Sequence, residues 1–141
     1  MSWIAQMTEI FVDSNVFLRF FMQDDPHQTQ AAERIFLKAV NKKIGLVTGP
    51  PVFFEVAWTL GAAAKWPNAK ILEALEAMAS IPGLKLIDED LVIEAILLAK
   101  ESDQGFADAY ITATAKKRSS KVATFNQKHF KKLGADLYSF D

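Results

Sequence analysis

Short apolar runs alternate along this chain with longer stretches whose apolar residues recur at helical spacing. Ile10-Phe11-Val12 is the first run, a buried strand candidate that stops at Asp13-Ser14-Asn15. Val16, Phe17, Phe20 and Phe21 then follow one face of a short helix. Asp24-Asp25-Pro26 breaks the pattern, and proline suits the opening of a second helix, about His27 to Val40, which aligns Ala31, Ile35, Phe36 and Ala39. Ile44 to Val47 reads as a second strand, and Thr48-Gly49-Pro50-Pro51 as a turn. The third helix, about Pro51 to Ala64, is apolar nearly all round, as expected of a buried helix. A fourth runs from about Ala69 to Ser80. Leu84 to Ile87 is a strand candidate, with Asp88 as the cap of a helix from about Leu91 to Glu101. After the loop Ser102 to Gly105 come a helix over Phe106 to Ala115, a strand over Lys121 to Phe125, a helical turn from Gln127 to Lys132, and a last strand candidate at Asp136 to Tyr138. Strands alternating with helices predict an α/β protein: a central, mostly parallel sheet with helices on both faces.

Composition narrows the class. The 141 residues suit one domain, with half of them hydrophobic and 23% charged, a globular balance that argues against disorder. Absence of cysteine excludes disulfides, thiolate metal sites and a cysteine nucleophile. The first nine residues lack the basic start and apolar core of a signal peptide, and no apolar run has membrane-spanning length. The expectation is a soluble cytoplasmic protein with no membrane partner.

A net charge of -1 conceals an asymmetry. Acids dominate from Glu73 to Asp108, whereas Ala109 to Ala135 has none and carries Lys116, Lys117, Arg118, Lys121, Lys128, Lys131 and Lys132. Such a stretch is a candidate surface for a phosphate backbone, and equally a solvated helix face.

Four positions invite a chemical reading. Asp13 ends a strand, where open α/β sheets place their ligands. On its own, a helix N-cap is the better reading. Glu55 stands within the apolar third helix, where an unpaired carboxylate costs several kcal/mol or titrates high; a salt-bridged or solvent-pointing side chain is the plainer alternative. Asp108 lies in a helix first turn, favourable for any anion, and Asn126 ends a strand. Strand ends and following helix starts share one edge of a parallel sheet, so the four can meet in one pocket. With Asp13 as a ligand, Ser14 or Asn15 would cap the helix. Oxygen ligands without cysteine or histidine suit Mg²⁺ or Mn²⁺, and metal-assisted phosphodiester hydrolysis is the matching chemistry.

Val12-Asp13-Ser14-Asn15-Val16, Phe53-Phe54-Glu55-Val56, Gly105-Phe106-Ala107-Asp108-Ala109 and Ala123-Thr124-Phe125-Asn126, in that order, resemble the PIN-domain nucleases, most closely the VapC-type toxins. The resemblance runs from about Ile10 to Tyr138 within a single domain of residues 1 to 141. It implies a three-layer α/β/α sandwich and an endoribonuclease using Mg²⁺ or Mn²⁺. Asp13, Glu55 and Asp108 match the family's principal acids, with Asn15 and Thr124 at supporting positions. The fourth acidic position falls on Asn126, which brings an amide oxygen and no charge. Asp103 is a candidate to compensate. A VapB-type antitoxin and a homodimer are further implications. Two other readings remain: a catalytically weak PIN-fold module binding RNA or protein, and a phosphotransfer domain of haloacid-dehalogenase or receiver type, which leaves Glu55 unexplained.

Overall fold

A computed structural model describes residues 8 to 140. Most of the N-terminal stretch read for a signal peptide, residues 1 to 7, lies outside the described residues.

The strands are β1 (Glu9–Phe11), β2 (Gly45–Thr48) and β3 (Leu84–Leu86), all parallel and in the order β1-β2-β3. Each crossover between them carries two helices. Between β1 and β2 lie α1 (Ser14–Met22) and α2 (Pro26–Val40), and between β2 and β3 lie α3 (Pro50–Ala62) and α4 (Asn68–Ala79). After β3 follow α5 (Glu89–Ser102), α6 (Phe106–Lys117) and α7 (Gln127–Lys132). The parallel sheet flanked by these helices is the expected α/β/α arrangement.

Local chemistry explains several boundaries. Pro26 opens α2 where its missing N–H is no loss, and the Asp25 carboxylate accepts from the Gln28 N–H at 3.1 Å. Pro50 and Pro51 open α3 in the same way. Helices α5 and α6 pack closely because Ala95, Ala99, Ala109 and Ala113 are all fully buried and small. The main core gathers Phe17, Phe53, Leu60, Leu75, Met78 and Val92, none of which reaches solvent. Gly83 starts β3 with φ +83, and its carbonyl accepts from the Leu46 N–H at 3.2 Å, aligning β3 with β2.

Three expectations are corrected. β1 is an edge strand rather than a central one, with Phe11 54% exposed; only the following Val12 is buried. Lys121–Phe125 and Asp136–Tyr138 form no named strands: a single parallel bridge, Val122 to Leu137, is all that joins them. Two ladder bonds flank that bridge, Val122 N–H to Asp136 and Tyr138 N–H to Val122, too few to extend a sheet. Asp88 does precede α5, but its φ of 54 is left-handed and its side chain makes no capping bond.

Candidate active site

Asp13 is placed by the residue before it. The Val12 N–H donates to the Val47 carbonyl at 2.8 Å, and the Val12 carbonyl accepts from Thr48 Oγ1 at 2.9 Å. Thr48 is completely buried, so β2 holds the chain just past β1 through both backbone groups of one residue, Val12. Asp13 then takes the N-cap position of α1 in extended conformation, its side chain exposed and making no capping bond. The expected caps are therefore corrected: Ser14 is already the first helical residue, and neither it nor Asn15 caps. Ser14 Oγ is buried with no hydrogen-bond partner. Asn15 lines a groove between α1 and α2 together with Arg19 and Gln28. Arg19 donates to Gln28 Oε1 at 2.6 Å and pairs with Asp24 at 2.9 Å.

Glu55 overturns the expectation of a buried acid. Val52, Phe53, Val56 and Leu60 form the buried stripe of α3, while Glu55 and Trp58, three residues apart, emerge on the exposed side. Trp58 is 71% exposed, so a helix apolar nearly all round is still only half buried. The carboxylate pays no desolvation cost, and among the described residues it makes no ion pair.

Asp108 stands in the first turn of α6, whose cap, Gly105, has no side chain to offer. Its neighbours Phe106 and Ala109 are buried, fixing the direction in which the carboxylate emerges. The rings of Phe53 and Phe54 meet Phe106, and Phe54 also meets Tyr110, so α3 and α6 are joined beside both acids. The Asp108 side chain is 32% exposed, and its Oδ2 lies 3.8 Å from His129 Nδ1. His129 in turn lies 3.0 Å from Asn126 Nδ2. With a neutral ring, Asn126 donates to Nδ1 and the ring proton sits on Nε2. Asn126 occupies the N-cap position of α7, and its backbone N–H donates to Thr124 Oγ1 at 3.0 Å. Asn126 is thus bonded to both Thr124 and His129, and His129, which sequence reasoning missed, stands beside Asp108 without a hydrogen bond to it. The signal was present: His129 follows Asn126 by three residues at a helix start, a spacing that brings cap and helix side chains together.

The other candidates divide. Asp103 is the C-cap of α5 at φ 51, exposed, and belongs to no metal-sized cluster among the described residues. Lys116 Nζ donates to the Leu133 carbonyl at 3.3 Å, tying α6 to the turn after α7. Lys117 shares a hollow with Asp88, Glu89 and Asp90. Arg118 and Lys121 border a different hollow with Tyr110 and Ile111. The basic stretch is therefore not one continuous surface. Lys128, Lys131 and Lys132 project from α7 into solvent.

The donors fit a hard divalent cation in kind, being carboxylates and an amide oxygen with no thiolate. They are not gathered: among the described residues, no three His, Asp or Glu side chains stand close enough to hold one ion. The single shared metal pocket expected from the sequence is thus not preformed. Asp13, Glu55 and Asp108 rise from three different elements, and none of them is neutralised by a lysine or arginine.

A family model described as PIN domain matches residues 10–136. This chain belongs to the PIN-domain family. The match covers nearly the whole chain and includes Asp13, Glu55, Asp108 and Asn126. PIN domains are in general nucleases, and the chain has this nuclease-type fold. No curated protein matches it. No helix among the described residues is long and apolar enough to cross a membrane.

Proposed function

We propose that this PIN domain is a metal-dependent endoribonuclease, with Asp13, Glu55 and Asp108 holding Mg²⁺ or Mn²⁺. The observation that carries this reading is the set of three carboxylates, none paired with a lysine or arginine among the described residues, in a parallel-sheet fold whose first strand leads into Asp13. Carboxylates that no lysine or arginine neutralises are the ligand type a hard divalent cation takes. When bound, the cation activates water and offsets the negative charge that builds on a phosphate. The chain supplies the rest. Thr48 holds Asp13 in place through the Val12 carbonyl. The Phe54, Phe106 and Tyr110 rings keep Glu55 and Asp108 on adjoining helices. His129, held by Asn126, stands beside the partly exposed Asp108 carboxylate. Lys128, Lys131 and Lys132 meet the RNA backbone, which makes binding salt-dependent.

Within this reading, the VapC-like sequence blocks support a toxin working with an antitoxin partner, and assembly as a homodimer. Asp13→Asn keeps the size of the side chain and removes its charge. Its RNA cleavage in Mn²⁺ falls by about a hundredfold or more, the usual scale for losing charge stabilisation at a reacting phosphate. Unchanged cleavage by this variant removes Asp13 from the mechanism.

A second reading, an RNA- or protein-binding module with little activity, is favoured by Asn126 in place of a fourth acid and by the absence of a gathered metal cluster among the described residues. It predicts that wild type and Asp13→Asn bind RNA equally well and cleave it equally poorly.

A further inference from the structure

We infer that Phe125 is a stacking platform for an unpaired base of single-stranded RNA. This rests on the ribonuclease reading and deepens it by naming how the substrate is held next to Asn126.

Phe125 is 91% exposed, the most exposed of the large apolar side chains. An exposed phenylalanine is ordinary when it is isolated. This one is not isolated. Its ring lies on Phe140 with centroids 4.7 Å apart and planes 18° from parallel. Phe140 also meets Tyr138, their ring centroids 5.2 Å apart and planes at 88°. The Tyr138 N–H donates to the Val122 carbonyl, so the three rings ride on the Val122–Leu137 bridge. One face of Phe125 is thereby supported and the other is left open, the arrangement a flat π-system needs to receive a second flat ring.

Two features identify the occupant. The first is charge: Phe125 sits in the stretch from Ala109 to Ala135 that has no acid, between exposed Lys121 and Lys128. Aromatic faces interleaved with cations are how single strands are bound without sequence readout, bases on the rings and phosphates on the lysines. Exposed lysines before and after the ring in the chain favour a polyanion over a protein partner. The second is position. Phe125 immediately precedes Asn126, whose side chain reaches His129, which stands beside Asp108. A base stacked there puts its own phosphates beside those acids. Duplex RNA hides its base faces and cannot use the platform.

The test measures binding in EDTA, where a metal-dependent nuclease does not cut. The probes are labelled, unstructured oligouridine RNA, an abasic ribose-phosphate chain of equal length, and a duplex RNA. Wild type is expected to prefer the oligouridine to the abasic chain. Phe125→Ala is expected to bind oligouridine about 5- to 150-fold more weakly, the range for one lost base stack. It keeps its affinity for the abasic chain and the wild-type salt slope. Phe125→Trp restores the preference, and Phe140→Ala loses part of it. Because Phe125 lies outside the core, thermal melting is expected to show both Phe125 variants folded. Equal wild-type affinity for oligouridine and the abasic chain overturns the platform while leaving the nuclease reading intact. So does a Phe125→Ala effect confined to self-association in sedimentation. Absence of any RNA binding by wild type overturns both.

Discussion

Gly83 and Gly134 both have left-handed φ, +83 and +75, yet the fold predicts very different costs for adding one methyl group. A Cβ at Gly83 would lie 2.7 Å from the Ala39 carbonyl oxygen, 3.0 Å from its carbon and 3.1 Å from its Cβ. The obstacle is backbone at the end of α2, which cannot swing aside. At Gly134 the nearest atom is Lys116 Nζ at 3.4 Å, the tip of a flexible side chain. Left-handed backbone costs an alanine about 1–2 kcal/mol, and the stiffer unfolded chain returns about 0.4–1 kcal/mol. Gly134→Ala should therefore lose about 1 kcal/mol. Gly83→Ala adds an overpacking cost of about 1–3 kcal/mol, for a total of about 2–4 kcal/mol. It also strains the Leu46-to-Gly83 hydrogen bond that sets β3 beside β2. Equilibrium urea unfolding of both variants measures the difference, and unchanged slopes would show that the shift in midpoint reflects stability. Equal losses in the two variants, within about 0.5 kcal/mol, refute the reasoning, because only the rigid contact distinguishes them.

Thr48→Val should lose about 1–3 kcal/mol by leaving the Val12 carbonyl unpaired in a site closed to water. Thr48→Ser, which keeps the hydroxyl, costs about 0.8 kcal/mol for the missing methyl; Mn²⁺ titration should find weaker binding in the valine variant alone. Asn126→Asp adds a carboxylate beside His129, and calorimetry should show Mn²⁺ affinity rising about tenfold; unchanged affinity would separate position 126 from the ion. The Tyr110 hydroxyl is pushed above its ordinary value of 10.0, chiefly by burial and secondly by the charge of Asp88. The folded state thus keeps the phenol proton longer than the unfolded state does. Stability is unaffected below the unfolded value and falls as pH climbs from about 10.0 through the raised folded value. In Tyr110→Phe that component of the alkaline decline should disappear from urea unfolding curves recorded across the same range.

The helices were legible because their apolar spacing, prolines and turns agree. Gln127–Lys132 falls on its expected boundaries, and α2 and α4 each start one residue earlier than expected. The last two strand candidates were not legible: Val122-Ala123-Thr124-Phe125 has strand composition, but composition does not say whether a neighbour lies alongside. Its only ladder partner is Leu137, and Phe125 turns outward onto Phe140. Glu55 misled for a related reason. Counting apolar residues around α3 ignored that one side of the helix, marked by Trp58, is exposed among the described residues. For the candidate site, sequence located the acids, whereas His129 emerged only from the distances to Asp108 and Asn126.

The double-helix crossovers carry a consequence for the order in which this protein becomes active. Every pairing in the sheet joins residues separated by a whole helix pair, β1 to β2 across α1 and α2, and β2 to β3 across α3 and α4. Such non-local pairing is slow until the intervening helices shorten the chain between the strands. The segments that carry Asp13 and Glu55 precede α6 and α7 in the chain and are therefore synthesised first. Asp108, Asn126 and His129 arrive last. On the proposed ribonuclease reading, a growing chain lacks a complete site until α6 and α7 have been made.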